Sequence, residues 1–93
     1  MRSIKLGNVM IDGEVEGKGW KMALELKTPR DDTTRGIGQL AEALAYGYNQ
    51  VALVTTLRSA RKLDSTVFDK LGLVLLGIDS KGNVEQVCPT YAT

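Results

Sequence analysis

Trp20-Lys21-Met22-Ala23-Leu24-Glu25-Leu26-Lys27 is the stretch on which the fold turns. It reads as an apolar strand that closes on a Glu-Leu-Lys triplet. Side chains alternate along a strand, so Glu25 and Lys27 share a face. Upstream, Val9-Met10-Ile11 reads as a partner strand, and the glycines of Glu16-Gly17-Lys18-Gly19 suit a tight hairpin turn between the two. Thr28-Pro29 ends the second strand, because proline cannot donate to a ladder and restricts the residue before it.

Downstream, Arg30 to Thr34 is a polar loop in which Thr33 or Thr34 is placed to cap a helix. The helix is expected over about Arg35 to Tyr46, with Ile37, Leu40, Ala41, Leu44 and Ala45 as its apolar stripe and Gly47 as its stop. Val51 to Thr56 is a short β-branched run, read as a strand buried on both faces. A second helix is expected from Ser59 to Leu71, with Leu63, Val67, Phe68 and Leu71 inward and Gly72 at its end. Leu73 to Ile78 and Val84 to Val87 pair around the turn 79–83. Counting a short strand at Ser3 to Leu6, the order is β-β-β-α-β-α-β-β, a mixed α/β domain with at least one parallel crossover.

Ninety-three residues allow one core, so residues 1–93 are expected to form a single domain. With 43% hydrophobic and 25% charged residues, the composition is that of an ordinary globular protein. So small a domain gains from burial against a partner, and a homodimer is expected. One cysteine, Cys88, rules out an intramolecular disulfide and fits a reducing cytoplasm. Apolar runs are far shorter than the roughly 20 residues that span a bilayer, and Met1-Arg2-Ser3-Ile4-Lys5 lacks a secretory apolar stretch. The expectation is a soluble cytoplasmic protein without a membrane segment.

The chain contains no histidine. Ser-His-Asp hydrolysis, His-ligated zinc and histidine general bases are thereby excluded within it. Carboxylates, lysine and a hard metal ion are left. If the hairpin is centred between Gly17 and Lys18, Asp12 lies opposite Ala23 and one diagonal step from Glu25 on the same face. Two carboxylates held together repel each other, and a divalent cation resolves the conflict. Magnesium takes oxygen ligands, keeps several waters and is commonly held by one or two carboxylates plus a substrate phosphate. Lys27 beside it is placed to serve the attacking water or to stabilise transition-state charge. Glu14 is a spare carboxylate on the same face.

Asp12, a hairpin, Glu25-x-Lys27, a helix opening Gly36-Ile37-Gly38-Gln39-Leu40 and a Val-rich strand together resemble the PD-(D/E)xK nuclease superfamily. The resemblance spans residues 8–56 and suggests a small member of archaeal or viral type. It implies a restriction-endonuclease-like mixed sheet with flanking helices, here without the family's N-terminal core helix. It also implies a Mg²⁺- or Mn²⁺-dependent endonuclease that hydrolyses DNA phosphodiesters by activated-water attack. Asp12 and Glu25 would bind the metal, Lys27 would serve the water, and Gln39 takes the place of a glutamine the family often carries near its site. Ile11 stands where the family has proline, and the Gln-x-x-x-Tyr spacing of one branch is absent. The alternative is a non-catalytic DNA- or protein-binding module on the same scaffold.

Arg30 and Arg35, near the motif's end of the sheet, are candidates for holding a phosphate backbone. Arg58 to Lys62 reads as the polar face of the second helix. Residues 36–41 formally match the dinucleotide fingerprint, but the preceding strand is half of a hairpin and no acidic residue follows about 20 positions on. Close packing of the helix start on the sheet explains these glycines more simply. Trp20 is expected in core or dimer contact, Thr55 and Thr56 as strand-end caps, and Cys88 as an apolar filler.

Overall fold

A computed structural model describes residues 4–6, 9–28, 30–31 and 33–89. The deciding stretch is strand β4 (Trp20–Leu26), paired antiparallel with β3 (Gly13–Gly17) in the register Gly17↔Trp20. The turn is therefore Lys18-Gly19, one residue later than the sequence suggested. A two-residue hairpin loop needs positive φ, and Gly19 supplies it at 69°, while Gly17 stays in the ladder. Moving the centre by one residue moves every cross-strand partner by two, which preserves the faces. Glu14 now stands opposite Ala23. Continuing the ladder one step beyond Gly13↔Leu24 puts Asp12 opposite Glu25.

Val9–Ile11 is not the first strand of this hairpin. As β2 it pairs with β1 (Ile4–Leu6) in a separate two-stranded ribbon, and the chain bends at Asp12 before β3 begins. Ser3, expected at the start of β1, lies outside the described residues.

Helix α1 (Thr33–Ala43) starts two residues earlier than expected and closes through a 3₁₀ turn at Leu44–Tyr46. Thr33 and Thr34 thus lie inside the first turn rather than at the cap. The buried stripe is Gly36, Leu40 and Ala43, with Ile37 beside it, whereas Ala41, Leu44 and Ala45 are exposed. Small residues at positions 36 and 43 let the helix sit close to the sheet, and the tighter 3₁₀ turn rotates Leu44 and Ala45 outward.

Strand β5 (Gln50–Thr56) runs parallel to β4 and is buried over its five interior residues, as its apolar run suggested. The single helix expected next is two, α2 (Leu57–Ala60) and α3 (Ser65–Leu71). The break has a local cause: the Asp64 carboxylate accepts from the Thr66 N–H at 2.9 Å and starts a new helix there. Phe68 is buried and Leu63 packs on the core, but Val67 and Leu71 are exposed. Strand β6 (Val74–Ile78) is parallel to β5, and β7 (Val84–Cys88) antiparallel to β6.

The sheet order is β3-β4-β5-β6-β7, a mixed five-stranded sheet. Both crossovers advance in the same direction, so right-handed connections place all three helices on one face. The core lies there: Leu40, Ala43, Ala60 and Phe68 of the helices meet Ala23, Val51, Leu53, Leu73 and Leu75. Alternation sends Met22, Leu24, Leu26, Val54, Leu76 and Ile78 to the other face, and none of these belongs to the core cluster.

Candidate active site on the helix-covered face

Asp12 finishes the ladder where the strands part. Its N–H donates to the Leu24 carbonyl at 3.0 Å, and its Oδ2 accepts from the Leu26 N–H at 2.7 Å. A carboxylate thereby substitutes for a strand carbonyl and is fixed against β4. Directly across, Glu25 is 4% exposed. Burial first, then its hydrogen bond to Asp12 and the negative charge of Asp12, push its carboxyl up to about 8, with Lys27 opposing. Burial beside Asp12 thus favours the protonated form of Glu25.

Lys27 extends β4 by one residue, its N–H donating to the Val54 carbonyl at 2.9 Å. Its Nζ lies 3.8 Å from Glu25 Oε1, an ion pair too long for a hydrogen bond. The Lys27 stem runs beneath the first turn of α1. A Cβ on Gly36 would stand 2.7 Å from Lys27 Cε and 3.2 Å from Leu53 Cδ1. Gly36 is thus a close-approach glycine, as the sequence suggested. Gly38 is not, since nothing lies within 4 Å of its Cβ position.

Gln39 sits one turn further along α1, half-buried. Among the described residues, two buried side-chain oxygens find no hydrogen-bond partner: Glu25 Oε2 and Gln39 Oε1. Both belong to the residues singled out from sequence. Orphaned buried acceptors are costly and rare in folded proteins.

Other candidates are placed differently. Glu14 is engaged elsewhere, accepting from the Tyr48 hydroxyl at 2.6 Å. Burial and that contact push the Tyr48 phenol up to about 12. Arg30 and Arg35 lie exposed on the loop and first helical turn that follow Lys27. Thr56 Oγ1 accepts from the Ser59 N–H at 3.2 Å and caps α2, the role expected for a strand-end threonine. Cys88 is a buried core residue.

Three residues near the site were not singled out from sequence. Asp31 Oδ2 accepts from the Thr28 N–H at 2.6 Å, a bond that holds the Asp31 carboxyl below its usual range and rigidifies the loop after Lys27. The Thr28-x-x-Asp31 spacing was its signal. Ser59 and Lys62, assigned to a polar helix face, instead join Lys27, Thr28 and Thr55 around a cavity of about 270 Å³. Only the break between α2 and α3 turns them there.

Two carboxylates with one orphaned oxygen suit a hydrated magnesium ion, which asks few ligands of the protein. Among the described residues no group of three or more Asp, Glu, Cys or His side chains is gathered to hold a metal, so such an ion would draw its remaining ligands from water and substrate. No described helix is long and apolar enough to cross a membrane. No family model, curated protein or solved structure matches the chain, so the nuclease resemblance stands on the residues quoted for it.

Proposed function

We propose that this protein is a metal-dependent nuclease acting on DNA phosphodiesters, with a nuclease-like sheet as its scaffold. The observation that carries the reading is Glu25: a buried carboxyl with an unpartnered oxygen, opposite Asp12, with the Lys27 ammonium at 3.8 Å. Asp12 and Glu25 would hold a divalent cation, which would supply Lewis-acid polarisation of a phosphoryl oxygen. Lys27 orients the water and balances charge on the pentavalent phosphorus. The cavity with Lys62, Ser59 and Thr55 receives a neighbouring phosphate. The water oxygen bonds to phosphorus, one ester P–O bond breaks, and the water's proton ends on the departing alkoxide through solvent.

One observation favours a second reading, a binding module that does not cut: burial and the neighbouring Asp12 push Glu25 up to about 8, so protonation relieves the carboxylate pair without a cation. The two separate on a panel of supercoiled, single-stranded, flap and junction DNA with Mg²⁺ or Mn²⁺. Cleavage by the wild type, reduced about 100-fold or more in Lys27→Ala and Glu25→Gln, is expected for the nuclease. DNA retained but uncut, with no thermal stabilisation by either metal, makes the binding module correct.

A further inference from the structure

We infer that the helix-free face of the five-stranded sheet is closed by the same face of a second copy of this chain. The inference is independent of the nuclease reading. Its first support is where the charges lie. Within the five strands the charged residues are Glu14, Glu16, Lys21, Glu25 and Glu85. The pairings Glu14↔Ala23, Glu16↔Lys21, Glu25↔Leu53 and Gly77↔Glu85 put every one of them on the face that carries the helices. The open face has none. A sheet face left to water shows the opposite pattern, polar outward and apolar inward.

Its second support is the strand direction. β4, β5 and β6 are mutually parallel, and parallel strands occur almost only in sheets covered on both sides. Here the described helices cover one. On the other, Ala52, Val54 and Val74 in the middle are shielded by their own neighbours and Leu24 and Leu76 are half-buried, while Val15, Leu26, Ile78 and Val84 around them are 43%, 41%, 39% and 61% exposed. Exposed apolar side chains on four of the five strands of one uncharged face, with Gln50, Thr56 and Gln86 as its exposed polar groups, mark an interaction site.

Width and charge select the occupant. Five strands about 4.8 Å apart make a face roughly 24 Å wide, and one helix, about 10–12 Å across, covers less than half of it. A second sheet of the same width covers it all, at the roughly 10 Å spacing and small crossing angle of stacked sheets. With strands about 20 Å long, two copies bury on the order of 1,000 Å² together, the lower bound of a specific interface. Neither copy brings a charge to be buried unpaired, whereas a charged partner finds nothing on this face to pair with. The contact is isologous and closes as a two-fold dimer. At the strand ends a cavity of about 420 Å³ is lined by Leu26, Val54, Thr56 and Ile78 on this face and by Lys27 and Asp79 at its margin, so the charges there stand at the edge of the contact and not within it.

Sedimentation velocity on the full chain, from low to high micromolar concentration, tests this. The wild type is expected to be dimeric at the upper end. Val84→Lys and Ile78→Lys, each placing a charge on the face, are expected to raise the dissociation constant about 100-fold or more, with circular dichroism unchanged. Lys70→Glu, on the far side in α3, serves as control. Val84 is the most exposed of these positions and the least needed for folding, so its variant keeps the test valid if Ile78→Lys misfolds. A wild type monomeric throughout overturns the inference, including the case in which a different protein occupies the face. A dimer unmoved by either substitution overturns it as well, because its interface lies elsewhere.

Discussion

Glu25 ionises only against resistance from its surroundings. Its ordinary value is 4.5 and its folded value about 8, so the folded chain binds a proton that the unfolded chain has released over that interval. Below about pH 4.5 both states hold the proton and the residue costs nothing. As pH rises through the window the unfolded state is progressively favoured, and above about 8 the penalty is complete. Glu25→Gln keeps the shape without the ionisation. It is expected to match the wild type near pH 4.5 and to exceed it by on the order of 5 kcal/mol at about pH 9, read from denaturant midpoints. In the proposed nuclease the same titration would govern metal affinity, since a cation would compete with that proton. Stabilisation by Mg²⁺ is therefore expected to grow from about pH 6 to about pH 9 in the wild type and to vanish in Glu25→Gln. A gap between the two proteins that does not vary with pH removes the buried carboxyl from the account. The triplet made Glu25 and Lys27 legible in the sequence. Lys62 was not, because its place depends on how α2 ends.

At the scale of the element, the two glycines at the start of α1 look equivalent in sequence and are not equivalent in space. Gly38 faces open space, so Gly38→Ala is expected to stabilise the protein by about 0.5–1 kcal/mol through helix propensity alone. At Gly36 the same methyl group meets Lys27 Cε and Leu53 Cδ1. Gly36→Ala gains the same propensity but displaces the lysine stem, so it is expected to leave stability within about 1 kcal/mol while reducing cleavage about tenfold. Thermal melts and initial rates on the two variants decide, and equal behaviour in both assays rules out the close approach. Gly77 has a comparable role under α2, where a Cβ would stand 2.7 Å from Leu57 Cα, an atom that cannot give way. Periodicity and glycine stops made α1, β5 and β6 legible, because each signal is local. The hairpin register was missed because it depended on which of two nearby glycines takes positive φ. The ribbon of β1 and β2 was missed because three-residue strands carry too little alternation to show their partner.

At the scale of the whole molecule, the sheet keeps the charged groups of its strands on one face and an uncharged surface on the other. Alternation alone produces that separation: in β4, Glu25 and Lys27 face the helices while Met22, Leu24 and Leu26 face away. The separation was latent in the sequence, but seeing it required the pairing register of all five strands, which no single segment reveals. It also makes a prediction, because groups on opposite faces share no partners and their free energies should add. The proposed dimerisation through the open face would stabilise the folded state by mass action, so the melting temperature of the wild type is expected to rise with protein concentration. Glu25→Gln should shift the whole curve upward at about pH 9 without changing its slope. Val84→Lys should flatten the slope without altering the pH dependence set by Glu25. In the double variant the two effects are expected to sum within about 0.5 kcal/mol. A coupling energy above about 1 kcal/mol would mean that β4 transmits strain between its faces, so that the state of the carboxylate pair and the association of two copies are one equilibrium rather than two.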